Sequence, residues 1–294
     1  MRVNPDLTGN ILSALEKIQD EQSQALLELS SGKRVNTPSD DPAAAAAEVN
    51  NQSQTMQVDQ YLQSVESLRG LLQTGDSALN NVVTALTKAV SIGTEGASDT
   101  SSSGNRQQIA QEVQGVLDQV IQLANTSFRG SFIFSGTATN TAPFSEAAGV
   151  ITYNGNQGAN QSTVSDGRPL QSNVPGDKLF QQAGSDVLGS LQELVQGLQA
   201  NDTTAISTAV ADVSSALTYI TVQRVFYGNA LSQLDEVETN LNEQTTNLKS
   251  QENSLVGADL ASTATKLSQA QTAHDGVLAA AARILQNTLL DYLK

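Results

Sequence analysis

The chain lacks cysteine and tryptophan, and it has a single histidine among its 294 residues. Without cysteine it can form neither a disulfide nor a thiolate metal site, and a Cys–His catalytic dyad is excluded. A zinc site would have to consist almost entirely of carboxylates, which are not the ligands that zinc prefers. We therefore expect a protein that is not an enzyme and that holds no metal or cofactor.

Basic residues are also scarce, because 15 Lys and Arg stand against 30 Asp and Glu. Nucleic acids and anionic membrane surfaces both select clustered cations, so neither partner is expected. The first ten residues include Pro5 and Asp6 and lack the apolar core of a cleavable secretory signal. No apolar run approaches the length of a membrane span. We expect a chain that is soluble, or that leaves the cell by a route independent of such a signal.

Apolar periodicity is the feature that the sequence does have, and it is most regular between Thr203 and Leu255. Successive members of one stripe are separated by steps of 4 and 3 without a slip, which is the seam of a coiled coil. A helix of this length would extend roughly 75–80 Å and could not cover its own stripe, so it must belong to a bundle. The stripe consists of Ile206, Val210, Val213, Leu217, Ile220, Arg224, Tyr227, Leu231, Leu234, Glu238, Leu241, Thr245, Leu248, Glu252 and Leu255.

The same periodicity predicts five further helices. Short turns between successive helices imply that neighbours pack antiparallel. Ser39 or Asp41 can cap the second helix, and Pro42 suits its first turn. The approximate ranges of these helices are 7–30, 42–92, 105–126, 185–199 and 260–292.

Residues 129–186 differ from the rest, because Gly, Asn, Thr and Ser dominate there. Strands are predicted at 131–136 and 150–155, with weaker candidates at 163–164 and 170–174. The predicted fold is mainly α, a long antiparallel coiled-coil or helical-bundle rod with this small β-rich domain inserted at its tip. Five parts are expected: a terminal assembly helix with its loop at 1–41, two halves of the rod at 42–128 and 187–256, the β-rich insert at 129–186, and a second assembly helix at 257–294.

Four charged sites have both a structural and a functional interpretation. His274 lies on the seam of the last helix, which favours packing or an interface over catalysis. The acid pair Asp40-Asp41 favours a helix N-terminus over a metal site. Arg224 lies in the long seam and needs a partner, such as Glu66 on a facing helix. The pair at 33–34, Lys-Arg, is either a solvated turn or a contact with an acidic neighbouring subunit.

The two terminal helices are amphipathic and rich in alanine, and Gly32 and Gly257 separate them from the long helices. They either complete one continuous monomeric bundle or act as assembly arms that order only against other subunits. Periodicity leaves both interpretations open. The candidate assembly surface consists of Ile11, Leu15, Ile18, Leu29, Lys33, Arg34, Leu267, Ala270, His274, Val277, Ile284 and Leu285.

Several stretches resemble signatures of the bacterial flagellin superfamily. The stretch LSSGKRVN at 29–36, followed by SDDPAA at 39–44, resembles the N-terminal signature of that superfamily. The stretch RGSFIFSG at 129–136 resembles the strand that enters the family's variable domain. The ending LLDYLK at 289–294 resembles the C-terminal ending of family members. The resemblance covers both terminal quarters of the chain, and the middle resembles the family in its architecture.

The prolines at 38 and 42 resemble the hook–filament junction members of this superfamily more than the filament flagellins. That resemblance implies an extracellular structural protein that adapts the flexible hook to the stiff filament. It would be exported unfolded through the flagellar type III apparatus without a cleaved signal. The implied partners are hook-associated protein 1, flagellin, identical subunits in a ring-like layer, and a cytoplasmic export chaperone that holds the C-terminal helix.

Two other functions compete with this interpretation. A short filament-forming flagellin would share the signatures, but the purified protein should then polymerise by itself into long filaments. A secreted enzyme with a carboxylate-based site in the insert would need several acids close together. Glu146, Asp166 and Asp177 are sparse in that segment, which disfavours the enzyme.

Overall fold

The computed structural model of the chain describes residues 6–147 and 149–292, with side chains described within 9–147 and 149–283. Within those residues the chain forms seven helices and eight short strands. The prediction of a mainly α fold with a small strand-containing insert is confirmed. The helices are α1 Asp6–Ser31, α2 Pro42–Ala97, α3 Ser103–Ala124, α4 Gly176–Phe180, α5 Val187–Ala200, α6 Thr203–Val256 and α7 Leu260–Tyr292.

The chain divides into two compact units. The terminal unit comprises Met1–Gln57 and Glu243–Lys294, and the central unit comprises Val58–Asn242. Neither boundary coincides with a loop, because both fall inside the long helices α2 and α6.

The seam of α6 is packed as its periodicity predicts. In the central unit every second member of the stripe, and thus every seventh residue, is buried, and the members between them are half-buried. Tyr227 is fully buried and packs against Gly75 of α2, where an added Cβ would lie 2.7 Å from the tyrosine ring. The buried members are Ile206, Val213, Ile220, Tyr227, Leu234 and Leu241.

Ion pairs fix the antiparallel register of α2 and α6 in the central unit. Arg224 donates from Nε to Asp76 Oδ1 at 2.9 Å and from Nη2 to Asp76 Oδ2 at 3.1 Å. The predicted pairing of Arg224 with Glu66 is therefore wrong. Since Gly75 lies opposite Tyr227, Asp76 lies opposite Arg224, whereas Glu66 is ~15 Å farther along α2. A second arginine, Arg69 of α2, pairs with Asp235 at 2.6 Å and with Glu238.

A buried arginine joins two turns of the central unit. Arg106 of α3 donates to the carbonyl oxygens of Gly96 at 2.8 Å and Ser98 at 2.9 Å, at the end of α2. It also donates to Asn201 Oδ1 at 2.7 Å, in the turn between α5 and α6. Its guanidinium hydrogen-bonds entirely to neutral oxygens, so the planar fork orders two helix ends without an ion pair.

The insert consists of antiparallel ribbons of two strands each. The predicted strand at 131–136 extends only to Phe132; the consecutive residues Ile133 and Phe134 are both buried, which the alternating faces of a strand would not allow. The strand predicted at 150–155 is confirmed over Val150–Tyr153, and its partner at 144–147 was not predicted. The strands are β1 Ser127–Phe128, β2 Ser131–Phe132, β3 Phe144–Ala147, β4 Val150–Tyr153, β5 Gln161–Ser165, β6 Arg168–Gln171, β7 Gln181–Gln182 and β8 Ser185–Asp186.

Helix α5 begins two residues later than predicted. Ser185–Asp186 pairs as β8 instead of starting the helix. Asp186 then caps the helix, since its side chain accepts from the backbone N–H of Gly189 at 2.8 Å.

Aromatic contacts and neutral amides hold the insert together. Phe180 lies edge-on to both Phe134 and Phe144, with ring centroids 5.5 Å apart in each pair. The Asn173 side chain accepts from the Asn160 N–H at 2.7 Å and donates to the Gly136 carbonyl at 3.1 Å. These hydrogen bonds join uncharged groups, so they are insensitive to pH and weakly sensitive to salt.

By length and composition alone, α6 could cross a membrane, which the sequence did not lead us to expect. One 18-residue window has a mean hydropathy of 1.3, with 28% of it buried. The central part of α6 carries the packed seam and the Arg224 ion pair, and a core helix of a soluble protein passes the same test. We therefore describe α6 as a bundle helix.

Replacing Leu234 by alanine tests whether the seam carries the stability of the central unit. Leu234 is fully buried, so its loss removes apolar burial and leaves a cavity. We expect the free energy of unfolding, measured by urea denaturation, to fall by about 2–5 kcal/mol. Val222→Ala on the exposed face of α6 is the matched control. A loss at Leu234 below about 0.5 kcal/mol would show that the seam is misplaced.

Candidate assembly surface

In the terminal unit, α1 packs against α7, so the two ends of the chain lie together. Ala25 of α1 and Ala270 of α7 are buried in the contact, where small side chains permit close approach of the helices. Of the predicted assembly residues, Ala270 is thus buried between the two helices. The half-buried ones are Ile11, Leu15, Ile18, Leu29, Leu267, His274 and Val277, while the side chains of Ile284 and Leu285 lie outside the described residues.

The α1–α7 pair leaves large apolar side chains uncovered. Leu12 is 59% exposed and Leu26 51% exposed, and at 3.6 residues per turn they lie ~40° apart on the same side of α1. Leu260 and Leu278 of α7 are also exposed. We call these four residues the leucine edge. Exposed leucines on one side of each helix are apolar surface that a contact with another protein would bury.

The loops that join the terminal helices to the long helices are bonded to each other. Lys33 and Gly257 form an antiparallel bridge. The Arg34 N–H donates to the Val256 carbonyl at 2.6 Å, and the Ala258 N–H donates to the Gly32 carbonyl at 3.0 Å. Gly32 precedes the bridge with a φ of 68°, a conformation that favours glycine. These bonds hold α1 and α7 to one common attachment.

Lys33 forms the principal ion pair of this attachment. Its Nζ lies 2.7 Å from Glu252 Oε1 and 3.1 Å from Glu48 Oε1. The hydrogen bond to Glu252 raises the pKa of Lys33, and the same bond lowers the pKa of Glu252. Glu48 is buried, and its Oε2 has no hydrogen-bond partner among the described residues. The buried carboxylate therefore depends on Lys33 for its countercharge.

Arg34 and the two acids that follow shape the loop before α2. Arg34 donates to Asp41 Oδ2 at 3.3 Å and to the Leu255 carbonyl at 3.0 Å. Asp40 accepts from the N–H groups of Thr37 and Asn36, and these bonds lower its pKa. Asp41 accepts from the Ala44 N–H at 3.1 Å and so caps α2, as predicted. This hydrogen bond is the main reason why the pKa of Asp41 is lowered. Whether Lys33 or Arg34 also contacts another subunit stays a prediction.

Glu28 is a residue of this surface that the sequence did not reveal. It is 8% exposed, although it precedes the predicted seam residue Leu29, and its Oε2 accepts from the Thr263 hydroxyl at 3.2 Å. Periodicity counts apolar positions, so a buried acid beside the stripe gives no signal. A threonine at 263, near the start of the last predicted helix, was the one hint of a polar contact there.

One histidine, His274, belongs to this surface. His274 is near Asp275, with 3.7 Å between Nδ1 and Oδ1. In the part of the chain that the structure describes, no group of three or more His, Asp or Glu side chains could hold a metal ion. The fold and this surface define a mainly helical protein whose first and last helices pack together and carry exposed leucines.

The comparison with known families agrees with that class. The model of the bacterial flagellin N-terminal helical region matches residues 7–139, and that of the bacterial flagellin C-terminal helical region matches residues 210–293. Together they cover well over half of the chain. The chain therefore belongs to the bacterial flagellin family.

Within this family the chain is similar to flagellar hook-associated protein 3. It is 28% identical over 270 residues to that protein of Escherichia coli K12, and the match covers 84% of each chain. The Salmonella typhimurium protein of the same name is 26% identical over 272 residues. The solved structure of a putative flagellar hook-associated protein from Vibrio parahaemolyticus has a TM-score of 0.70, at 21% identity, covering 74% of this chain and 100% of that one. The predicted resemblance to the junction member is confirmed.

Removing the Lys33 charge should loosen the attachment of the terminal helices. In Lys33→Met, Glu48 and Glu252 lose the cation that they share, so we expect the free energy of unfolding to fall by about 1–3 kcal/mol. Chemical denaturation followed by circular dichroism measures this change. Lys17→Met, at an exposed lysine of α1 in the same unit, is the control. Equal stability of the two variants would contradict the assigned role.

The terminal unit should lose stability in acid. The pKa values of Asp40, Asp41 and Glu252 are all lowered by folding, so their stabilising effect is present above their unfolded values near 4. It is lost as the pH falls through the lowered values. In Asp40→Asn the decline in unfolding free energy between pH 5 and pH 2 should be shallower than in the wild type.

Asp20→Asn is the control for this pH series, because the Asp20 carboxylate accepts no hydrogen bond from a described residue. Identical acid profiles for Asp40→Asn and the wild type would show that the loop carboxylate contributes nothing to the pH dependence.

Proposed function

We propose that this chain forms a structural layer of the bacterial flagellum at the junction between hook and filament. The observation that carries the proposal is the match to hook-associated protein 3 over 84% of both chains. The leucine edge on the paired chain ends supports it, because a subunit that assembles through its termini must present apolar surface there. The layer acts by its shape and packing, without a catalytic step.

The partners follow from this position. Identical subunits surround the chain in a ring-like layer, hook-associated protein 1 lies on the hook side, and flagellin lies on the filament side. The terminal segments at 1–41 and 257–294 serve as the assembly segments, the insert at 129–186 faces outward, and an export chaperone holds the C-terminal helix beforehand. The amphipathic, partly uncovered α7 supports that last assignment, since an exposed apolar face needs protection before assembly.

The site of action is outside the cell, after export of the unfolded chain through the flagellar type III apparatus. The absence of cysteine supports this route, because a chain that crosses compartments unfolded forms no disulfides on the way.

Deleting the gene in its native bacterium tests the proposal. We expect hooks that lack filaments, together with flagellin monomers released into the medium, because filament growth loses its base while export continues. Electron microscopy of the hooks and immunoblotting of the medium measure the two effects, and re-expression of the wild-type chain is the control.

The same experiment separates the junction protein from a short flagellin. Loss of a filament flagellin would leave hooks without filaments but would not release another flagellin in quantity. Normal filaments on the deletion strain, or long filaments grown from the purified chain alone, would contradict the proposed role.

A further inference from the structure

The α1–α7 pair carries a groove on a side different from the leucine edge. Its volume is about 410 Å³, and it is lined by three alanines, two glutamines and the charged Glu21, Glu28 and Lys266. Around α1, Leu12 and Leu26 each lie ~160° from Glu28, at 3.6 residues per turn. The helix pair thus presents two separate surfaces, one apolar and one polar.

Glu28 is the member of the groove that calls for a partner. More than nine-tenths of this residue is buried, and one carboxylate oxygen accepts from the Thr263 hydroxyl. Among the described residues, the other oxygen receives no hydrogen bond and no cation approaches within ion-pair distance. The oxygen without a hydrogen bond is open to the groove, where a cation could approach it and add to the hydrogen bond from the neutral hydroxyl.

The cation nearest along the groove does not neutralise this carboxylate. Lys266 lines the same groove, but in the described structure it forms no ion pair with Glu28 or Glu21. The groove therefore has one negative charge in excess. The alanines around it leave room for a long, slim side chain to enter.

We propose that this groove receives a lysine or arginine side chain from a second copy of this chain. The inference rests on the proposed function, since it requires subunits that pack side by side. In the described part of the terminal unit, Lys17, Lys249 and Arg283 are exposed cations without an ion pair. In a chain of net charge −15, such unpaired cations are the complement that an acidic groove selects.

The separation of the two surfaces agrees with a closed ring of copies. A ring needs heterologous contacts, in which one face of each subunit meets a different face of the next. The leucine edge supplies apolar burial, and the Glu28 groove supplies a charged contact that fixes how neighbouring copies align. A buried polar group used for register is the best-attested role of such charges.

The test compares Glu28→Gln with the wild type in flagella assembled by cells that lack the native gene. The amide keeps the size of the side chain and can still accept from Thr263, but it removes the charge. We expect the amount of this chain retained on isolated hooks after a low-salt wash to fall on the order of tenfold. The secreted monomer should melt at the same or a higher temperature, because the charge that is removed has no ion-pair partner among the described residues of the monomer.

Three further variants identify the source of the cation. Lys17→Gln, Lys249→Gln and Arg283→Gln are assayed for retention in the same way, and at least one should reproduce the loss. Combining Glu28→Lys with a glutamate at that cation should restore retention. Glu16→Gln, at an exposed acid elsewhere on α1, is the matched control and should behave like the wild type.

Lys266→Gln distinguishes an internal partner from an external one. If a second copy supplies the cation, loss of Lys266 makes the groove more acidic, and retention should stay equal or rise. Retention is therefore compared for Lys266→Gln, for Glu28→Gln and for the variant that carries both changes. If all three lose retention to the same extent, Lys266 of the same chain is the partner of Glu28, and the inference is overturned. The inference is also overturned if none of the three cation variants reproduces the loss of retention. The gene deletion tests the proposed function separately, so the two failures can be told apart.

Discussion

The apolar stripe of α6 is the constraint on which the rest of the structure depends. A single helix cannot bury its own stripe, so α6 is stable only with other helices packed along it. In the central unit α2 is one of those helices, and the close approach of Tyr227 to Gly75 sets the spacing. A shift of α2 against α6 by seven residues would leave the apolar contacts similar. The ion pairs of Arg224 and Arg69 select one of these possible alignments.

The two units use charge in different ways. In the central unit, arginines bridge helices or, as Arg106 does, bind carbonyl oxygens at two turns, while the insert relies on neutral amides. In the terminal unit, carboxylates with lowered pKa values hold the loop, and Lys33 joins two helices to it. The contacts of the terminal unit are therefore the ones that respond to pH, through Asp40, Asp41 and Glu252.

The paired chain ends bring together the features that assembly requires. The leucine edge offers apolar area without direction, because burial of apolar surface is proportional to area and not to orientation. The bridge between the two linking loops gives both terminal helices one attachment. Polar groups such as Glu28 and Thr263 add the directionality that leucines lack. Under the proposed function, affinity and alignment would come from different residues of one helix pair.

Periodicity alone determined six of the helices, the seam of α6 and the position of the insert, since each depends on local spacing along the chain. It could not determine that Arg224 pairs with Asp76, because a shift of seven residues leaves an apolar stripe unchanged while it changes every charge partner. Nor could it determine the ribbons of the insert, where Phe134 turns inward to meet Phe180 across many residues of chain. The burial of Glu28 was likewise decided by tertiary structure, because an acid becomes buried only when a second helix covers it.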